Sequence, residues 1–230
     1  MSTFPTLADQ LLALFEEENT IKLFRKGDHL FQEGTEAREI YFLLSGKVQV
    51  SKVVPDGREL ALRISGKGDV ISEFNLFEKS SLYLANAKII ESGEAMVIAK
   101  KRFEEKLASK PEVMLSWFQR TQLDNQKTQS KLRDLILHGK KGGVYSTLIR
   151  LSNTFGRRAE DGIHIDVSLT NQEIANLCGT SREVVNRMFS DLRKKQIIST
   201  KKGSLIIHDL DYLKNEINCD NCPIDICQTD

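Results

Sequence analysis

Leu7, Leu11, Leu12, Leu14 and Phe15 recur with a helical period and run into an acidic stretch. The spacing predicts a short amphipathic helix over 6–18. From residue 21 to residue 99 the period changes. Short runs rich in β-formers, at 40–44, 47–54, 59–64, 84–90 and 95–98, are separated by Gly27, Gly34, Gly46, Gly57, Gly66, Gly68 and Gly93. Glycine accepts the left-handed backbone that tight turns need. Many short strands punctuated in this way predict an antiparallel sandwich or barrel.

Pro111 then opens a stretch that reads as one long helix to about His138, with no glycine or further proline inside it. Met114, Phe118, Thr121, Asn125, Thr128, Leu132 and Leu135 follow a 4-3-4-3-4-3 spacing, the a/d seam of a coiled coil. Such a helix between two domains is expected to pair with a copy of itself; packing on its own domain is the competing reading. Residues 139–143 are expected to end it. Beyond them, 144–154 reads as a helix and 163–167 alternates like a strand. Two helices, a hairpin and a last helix over 209–217 follow. The expected parts are 1–110 with flanking helices, a dimerisation helix over 111–138, a domain over 139–217 and a tail over 218–230. A chain of 230 residues is comfortable for two domains.

The net charge of +1 hides an asymmetry. Residues 139–217 hold 13 Lys/Arg against 9 Asp/Glu, a net of +4, whereas residues 1–138 hold 20 of each. The basic excess sits where a phosphate backbone would want it. The start, Met1-Ser-Thr-Phe-Pro, has no basic or apolar leader segment. No run approaches the roughly 18 apolar residues of a membrane span. The cytoplasm is the expected compartment, with no membrane partner.

Residues 170–190 carry the most specific chemistry. Thr170 and Glu173 predict a capping box. Ala175 is small where two helices must approach, Gly179 permits a left-handed turn, and Val185 is apolar at the contact. That spacing marks a helix-turn-helix. Ile174, Leu177, Val184 and Met188 are expected to complete its buried face. Ser181 can cap the second helix, from which Arg182, Glu183, Asn186 and Arg187 project. The first turns of a recognition helix meet base edges. Arginine can bond guanine O6 and N7 together, and glutamate can accept from cytosine N4. Residues 196–208 read as a two-stranded wing tipped by Lys201 and Lys202. Double-stranded DNA is the expected partner. The competing reading is a three-helix packing unit with a charged outer face.

Of the four cysteines, Cys178 reads as a small buried hydrophobe. Cys219, Cys222 and Cys227 follow the spacing C-x2-C-x4-C. Grouped thiolates of this kind bind an iron–sulfur cluster, with a fourth ligand from elsewhere. Three cysteines completed by His208 or His138 also suit structural zinc. A thiol oxidoreductase using Cys219 and Cys222 is a third reading, weakened because no βαβ unit adjoins the pair. No catalytic constellation stands out elsewhere: the four His are scattered and there is no Gly-rich phosphate loop.

These stretches together resemble the CRP/FNR superfamily of bacterial regulators. The resemblance rests on Gly68-Asp69-Val70-Ile71-Ser72-Glu73-Phe74-Asn75-Leu76-Phe77, on Leu169-Thr170-Asn171-Gln172-Glu173-Ile174-Ala175, and on Thr180-Ser181-Arg182-Glu183-Val184-Val185-Asn186-Arg187. It implies an α+β chain: an antiparallel β-roll of the cyclic-nucleotide-binding kind, a long dimerisation helix and a C-terminal winged helix-turn-helix. It also implies RNA polymerase as a partner and a TGTGA-like inverted repeat read by Arg182, Glu183 and Arg187. Thr170 and Gln172 match positions that touch phosphate in relatives. Asn186 departs from the glycine of the cAMP-responsive type, which alters the preference at one base.

The cAMP-responsive members carry Gly-Glu-Leu after the Gly-Asp pair, and an Arg-Ser pair ten residues beyond that Glu grips the cyclic phosphate. Here Ser72 replaces the glycine, Glu73 is kept, and Tyr83-Leu84 stands in place of Arg-Ser. A buried phosphodiester without its countercharge loses roughly 3–5 kcal/mol, so no cyclic nucleotide is expected. Enterobacterial FNR proteins hold a [4Fe-4S] cluster with N-terminal cysteines, and this chain has none before Cys178. It resembles instead the Bacillus-type FNR branch, whose three cysteines lie at the C-terminus and whose fourth ligand is an aspartate near the end of the dimer helix. The matching residue is Asp134, with Asp220 and Asp225 as local alternatives. The resemblance implies an oxygen-responsive homodimer that activates genes of anaerobic respiration and fermentation while its cluster is intact.

Overall fold

The computed structural model describes residues 7–201 and 203–229. The amino-terminal stretch read above for a leader, and Lys202, lie outside them. Two compact units emerge, Met1–Gln122 and Leu123–Thr229.

The first unit holds α1 (Leu7–Glu16), β1 (Ile21–Phe24), β2 (His29–Phe31), β3 (Glu39–Leu43), β4 (Lys47–Val53), β5 (Glu59–Ser65), β6 (Val70–Ile71), β7 (Asn86–Glu91), β8 (Gly93–Ala99) and α2 (Lys100–Ser109). The strands form two antiparallel four-stranded sheets, ordered β1-β8-β3-β6 and β2-β7-β4-β5. The expected strands are all present. β1, β2 and β6 were not expected, because runs of four, three and two residues are too short to display an alternation. Phe15 of α1 packs against Phe42 and Phe103, with ring centroids 5.6 and 6.0 Å away. Phe103 in turn meets Trp117 edge-on at 5.1 Å. The flanking helices thereby cap the apolar side of the roll, and each buried Phe contributes about 1.5–3 kcal/mol. Lys106 ties α1 to α2 by donating to the Leu14 carbonyl and the Glu17 carboxylate, both at 2.8 Å.

The helical stretch α3 (Pro111–Phe155) is two helices broken at Gly139, where the run 139–143 was expected to end the first. Only Gly139 leaves helical geometry, with φ 56° and ψ −150°. Gly142 and Gly143 stay helical and serve close approach instead. A Cβ on Gly142 would lie 2.1 Å from the His138 Cβ, and one on Gly143 would lie 3.1 Å from the Cys178 carbonyl oxygen. The kink lets the segment after Gly139 fold tightly against its neighbours.

Phe118 and Leu132 of the expected seam are exposed. Met114 and Leu135 are half-buried. Leu115, Phe118, Leu132 and Ile136 are exposed at 57, 56, 54 and 69%. These outward residues keep the 3-4 spacing of a coiled-coil seam.

In the second unit α3 is followed by β9 (Gly156–Ala159), β10 (Gly162–Ile165), α4 (Asn171–Leu177), α5 (Arg182–Lys194), β11 (Ile198–Lys201), β12 (Ser204–Ile207) and α6 (Leu210–Asn215). The wing is larger than expected. β11 and β12 belong to a four-stranded sheet ordered β11-β12-β10-β9, in which Ile163 pairs with Ile207. β9, Gly-Arg-Arg-Ala, is exposed throughout and carries no apolar signal. The core beneath is built by Val144, Leu148, Ile174, Val185, Phe189 and Ile206.

Candidate nucleic-acid interface and candidate metal centre

α4 begins at the expected capping box. The Thr170 hydroxyl accepts from the Glu173 N–H at 3.2 Å, and the Glu173 carboxylate accepts from the Thr170 N–H at 2.6 Å. Gly179 takes φ 59°, and the Thr180 N–H donates back to the Ala175 carbonyl at 3.0 Å. Ala175 and Val185 are fully buried where the two helices meet. Met188 is only half-buried; Phe189 and Leu192 fill the interior instead.

Ser181 stands at the N-cap of α5, but its hydroxyl bonds no helix N–H. It bonds the Glu183 carboxylate. Glu183's own N–H, then Ser181, then the Arg182 charge hold that carboxyl below its ordinary range. An ionised Glu183 at the helix start also complements the positive end of the helix dipole. Arg182, Glu183, Asn186 and Arg187 are exposed along the first two turns of α5. The Asn186 amide oxygen accepts from the Asn171 side chain at 2.5 Å, which links the two helices across their outer edge. Thr170, Gln172 and Lys201 are exposed, with Gln172 donating to Asn176 at 2.8 Å and Lys201 lying 3.9 Å from Asp161. Lys202 lies outside the described residues. The sequence reading passed over Arg193, which packs over Phe189 and bonds the Thr200 hydroxyl.

The three terminal cysteines gather at one recess, lined also by Arg133, Asp134, His138, Arg150 and Asp220. His208 lies elsewhere, bonded to the Asp161 carbonyl and Ser199. Asp225 is exposed, and Asp220 is paired with Arg133. Asp134 is no surface carboxylate: it is 5% exposed. Its two oxygens take Arg133 at 2.9 Å and Arg150 at 2.7 Å. Cys178 is buried away from this recess. Burial pushes its thiol up to about 11, which the Thr147 bond and the nearby Lys131 charge only moderate.

The tail is packed in place by α3. Arg150 donates to the Ile226 carbonyl at 3.1 Å and Asn153 to the Cys227 carbonyl at 2.8 Å. The Thr154 hydroxyl accepts from the Thr229 N–H at 3.0 Å. Arg150, Asn153 and Thr154 share one helix face by their i, i+3, i+4 spacing. The sequence reading missed all three. A signal was available, since Arg150 interrupts the apolar run Leu148-Ile149-Arg150-Leu151.

Burial pushes the Cys227 thiol up to about 11. The Arg150 charge opposes the rise; Cys222, which shares a hydrogen bond with Cys227, and Cys219 add to it. These three thiols therefore feel one another. The Arg150 Nε is buried with no hydrogen-bond partner among the described residues, an orphaned donor beside a sulfur-rich recess. Among the described residues no three His, Cys, Asp or Glu side chains converge on a single metal ion. A lone zinc needs every ligand within about 2.0–2.3 Å. A cluster places each thiolate on a different iron and spreads them further apart. The donor set at this recess, three thiols and a carboxylate, is of the kind that iron–sulfur clusters and zinc both take.

In the β-roll, Tyr83 is buried, stacks on Phe31 and donates to the Glu39 carbonyl at 2.8 Å. Glu73 is paired with Arg63. Tyr83, at the expected phosphate position, and the retained Glu73 are thus both engaged internally.

The match to family models follows this division. A cyclic nucleotide-binding domain matches residues 21–110 and a Crp-like helix-turn-helix domain matches residues 144–216. The chain is 44% identical over 225 residues to the anaerobic regulatory protein of Bacillus subtilis strain 168, covering 97% of this chain and 94% of that protein. It is 30% identical over 190 residues to a CRP-like cAMP-activated global transcriptional regulator of Mycobacterium tuberculosis, covering 83% of this chain and 84% of that one. Among solved structures, a CRP-family transcriptional regulator from Thermus thermophilus matches with a TM-score of 0.72 at 25% identity, over 86% of this chain and 96% of that one. The capped α4, the glycine turn, the exposed α5 face and the β-roll agree with these matches: the chain belongs to the CRP/FNR family and is a DNA-binding transcription regulator.

Proposed function

We propose that this regulator is oxygen-responsive and holds a [4Fe-4S] cluster through Cys219, Cys222, Cys227 and Asp134. The observation that carries the reading is the common recess: Asp134, far away in sequence, shares it with all three cysteines. The name of the Bacillus subtilis relative, an anaerobic regulatory protein, supports an anaerobic role. When bound, the cluster supplies an oxygen-labile centre. Asp134 offers a carboxylate, a harder and weaker iron ligand than thiolate. The tail anchors on Arg150, Asn153 and Thr154 keep Cys227 beside it. Zinc is the second reading. His138 in the same recess favours it.

As an activator rather than an enzyme, the protein acts in the cytoplasm on genes of anaerobic respiration and fermentation, in contact with RNA polymerase. The exposed apolar residues Leu132 and Ile136 of the second unit, on the helix expected to dimerise, support a homodimer, which matches an inverted-repeat operator. Arg182, Glu183, Asn186 and Arg187 read a TGTGA-like half-site; Ser181, Thr170, Gln172, Lys201 and Lys202 hold phosphate. The engaged Tyr83 and Glu73 support a β-roll without a cyclic nucleotide. Iron, acid-labile sulfide and zinc assayed on anaerobically purified protein test the cofactor. Iron and sulfide in equal amounts, lost from Cys222→Ser, are expected; stoichiometric zinc without sulfide would favour the second reading.

A further inference from the structure

Arg150 is 2% exposed and carries its guanidinium into a region with little water. Its Nη2 donates to the Asp134 carboxylate at 2.7 Å and to the Ser130 hydroxyl at 3.0 Å. Its Nη1 donates to the Ile226 carbonyl, one residue before Cys227. Asn153 and Thr154 grip only the tail. Of these three, Arg150 bonds both Asp134, which precedes the break at Gly139, and the chain next to Cys227. A guanidinium can do this because its donors lie in a fixed planar fork; an ammonium offers one point charge.

We infer that Arg150 is a positioning residue that joins Asp134 to the cysteine tail, keeping the carboxylate and Cys227 side by side. The inference rests on the reading of Asp134 and Cys227 as ligands of one centre. Its consequence is that cluster loss leaves the tail docked: Arg150 keeps hold of both partners and the site can be refilled without searching for its fourth corner.

Full-length protein, stripped of iron anaerobically and kept reduced, is pulsed with iodoacetamide, and each cysteine is followed by mass spectrometry. In the unaltered chain Cys227 and Cys178 label slowly beside Cys219 and Cys222. In Arg150→Lys, which keeps a cation near Asp134 but loses the fork, Cys227 labelling is expected to rise about tenfold while Cys178 stays slow. The double substitution Asp134→Asn/Arg150→Gln removes both charges of the buried pair together and is expected to behave alike. Should Arg150→Lys loosen Cys178 as well, the double substitution decides. Cys227 staying slow in both proteins, or Cys178 rising in step in the double substitution, overturns the inference. An iron assay on the unaltered protein separates the two ideas: no iron removes the ligand reading and leaves the labelling result standing.

Discussion

Tyr83 lies face to face on Phe31, with ring centroids 3.8 Å apart and planes 2° from parallel, while Phe74 meets it edge-on at 5.6 Å. The tyrosine stands where cAMP-responsive relatives are expected to carry an arginine for the cyclic phosphate. Here it is a packing residue. Tyr83→Ala should lower stability by about 3–5 kcal/mol, the usual loss for a large buried aromatic. Titration calorimetry with cAMP should show no binding to the unaltered chain. Measurable heat of binding would mean that the stack opens to admit a ligand.

The exposed α5 face sets a second expectation. Arg182→Ala or Arg187→Ala should weaken operator binding by about 1–3 kcal/mol, roughly 5- to 150-fold, and relax preference at one base pair. Lys201→Ala should weaken all duplexes alike and reduce the salt dependence of binding. Fluorescence anisotropy on matched and scrambled duplexes at two salt concentrations separates these effects. An equal loss on both duplexes for Arg187→Ala would assign it to phosphate.

The Asp134–Arg150 pair predicts a stability effect independent of any cofactor. Asp134→Ala leaves the Arg150 charge buried with only neutral partners, and should cost about 3–5 kcal/mol in the metal-free protein. Denaturant unfolding of the metal-free protein measures it. A change below about 1 kcal/mol would place Asp134 in a wetter setting than the one described.

The acid side of the stability profile is set partly at the α1–α2 junction. Hydrogen bonds from Lys106 and Lys110 pull the Glu17 carboxyl down to about 2, from an ordinary 4.5. A carboxyl depressed in the folded state contributes stability that is fully present above its unfolded value. That contribution fades as the pH falls toward the folded one. Thermal midpoints should therefore drop between pH 5 and pH 2 by more in the unaltered protein than in Glu17→Gln. Parallel curves would show that the pair contributes nothing to acid stability.

Legibility followed periodicity. Residues that alternate or repeat over several turns, such as the strand over 47–54 and the helix opened by Pro111, announced themselves. So did Thr170, Glu173, Ala175 and Gly179, because capping and tight turning admit few residue types. β6 and β9 did not, since two residues or four exposed ones carry no pattern. Leu115 and Ile136, exposed one position away from the expected seam residues, were passed over because the middle of that stretch is polar and fixes no phase. At the candidate metal centre, the cysteines were visible as a spacing, and Asp134 only through resemblance. Arg150, Asn153 and Thr154 act on backbone carbonyls and hydroxyls brought in by the fold, which no local spacing encodes.

We propose that cluster state governs operator binding. An anaerobic titration of a TGTGA palindrome, repeated after air exposure with iron and sulfide assayed on the same sample, tests it most directly. Tight, sequence-selective binding that weakens as iron and sulfide are lost is the expected result. Iron-loaded protein that binds palindrome and scrambled duplex equally, or whose affinity is unchanged once the cluster is gone, would contradict it.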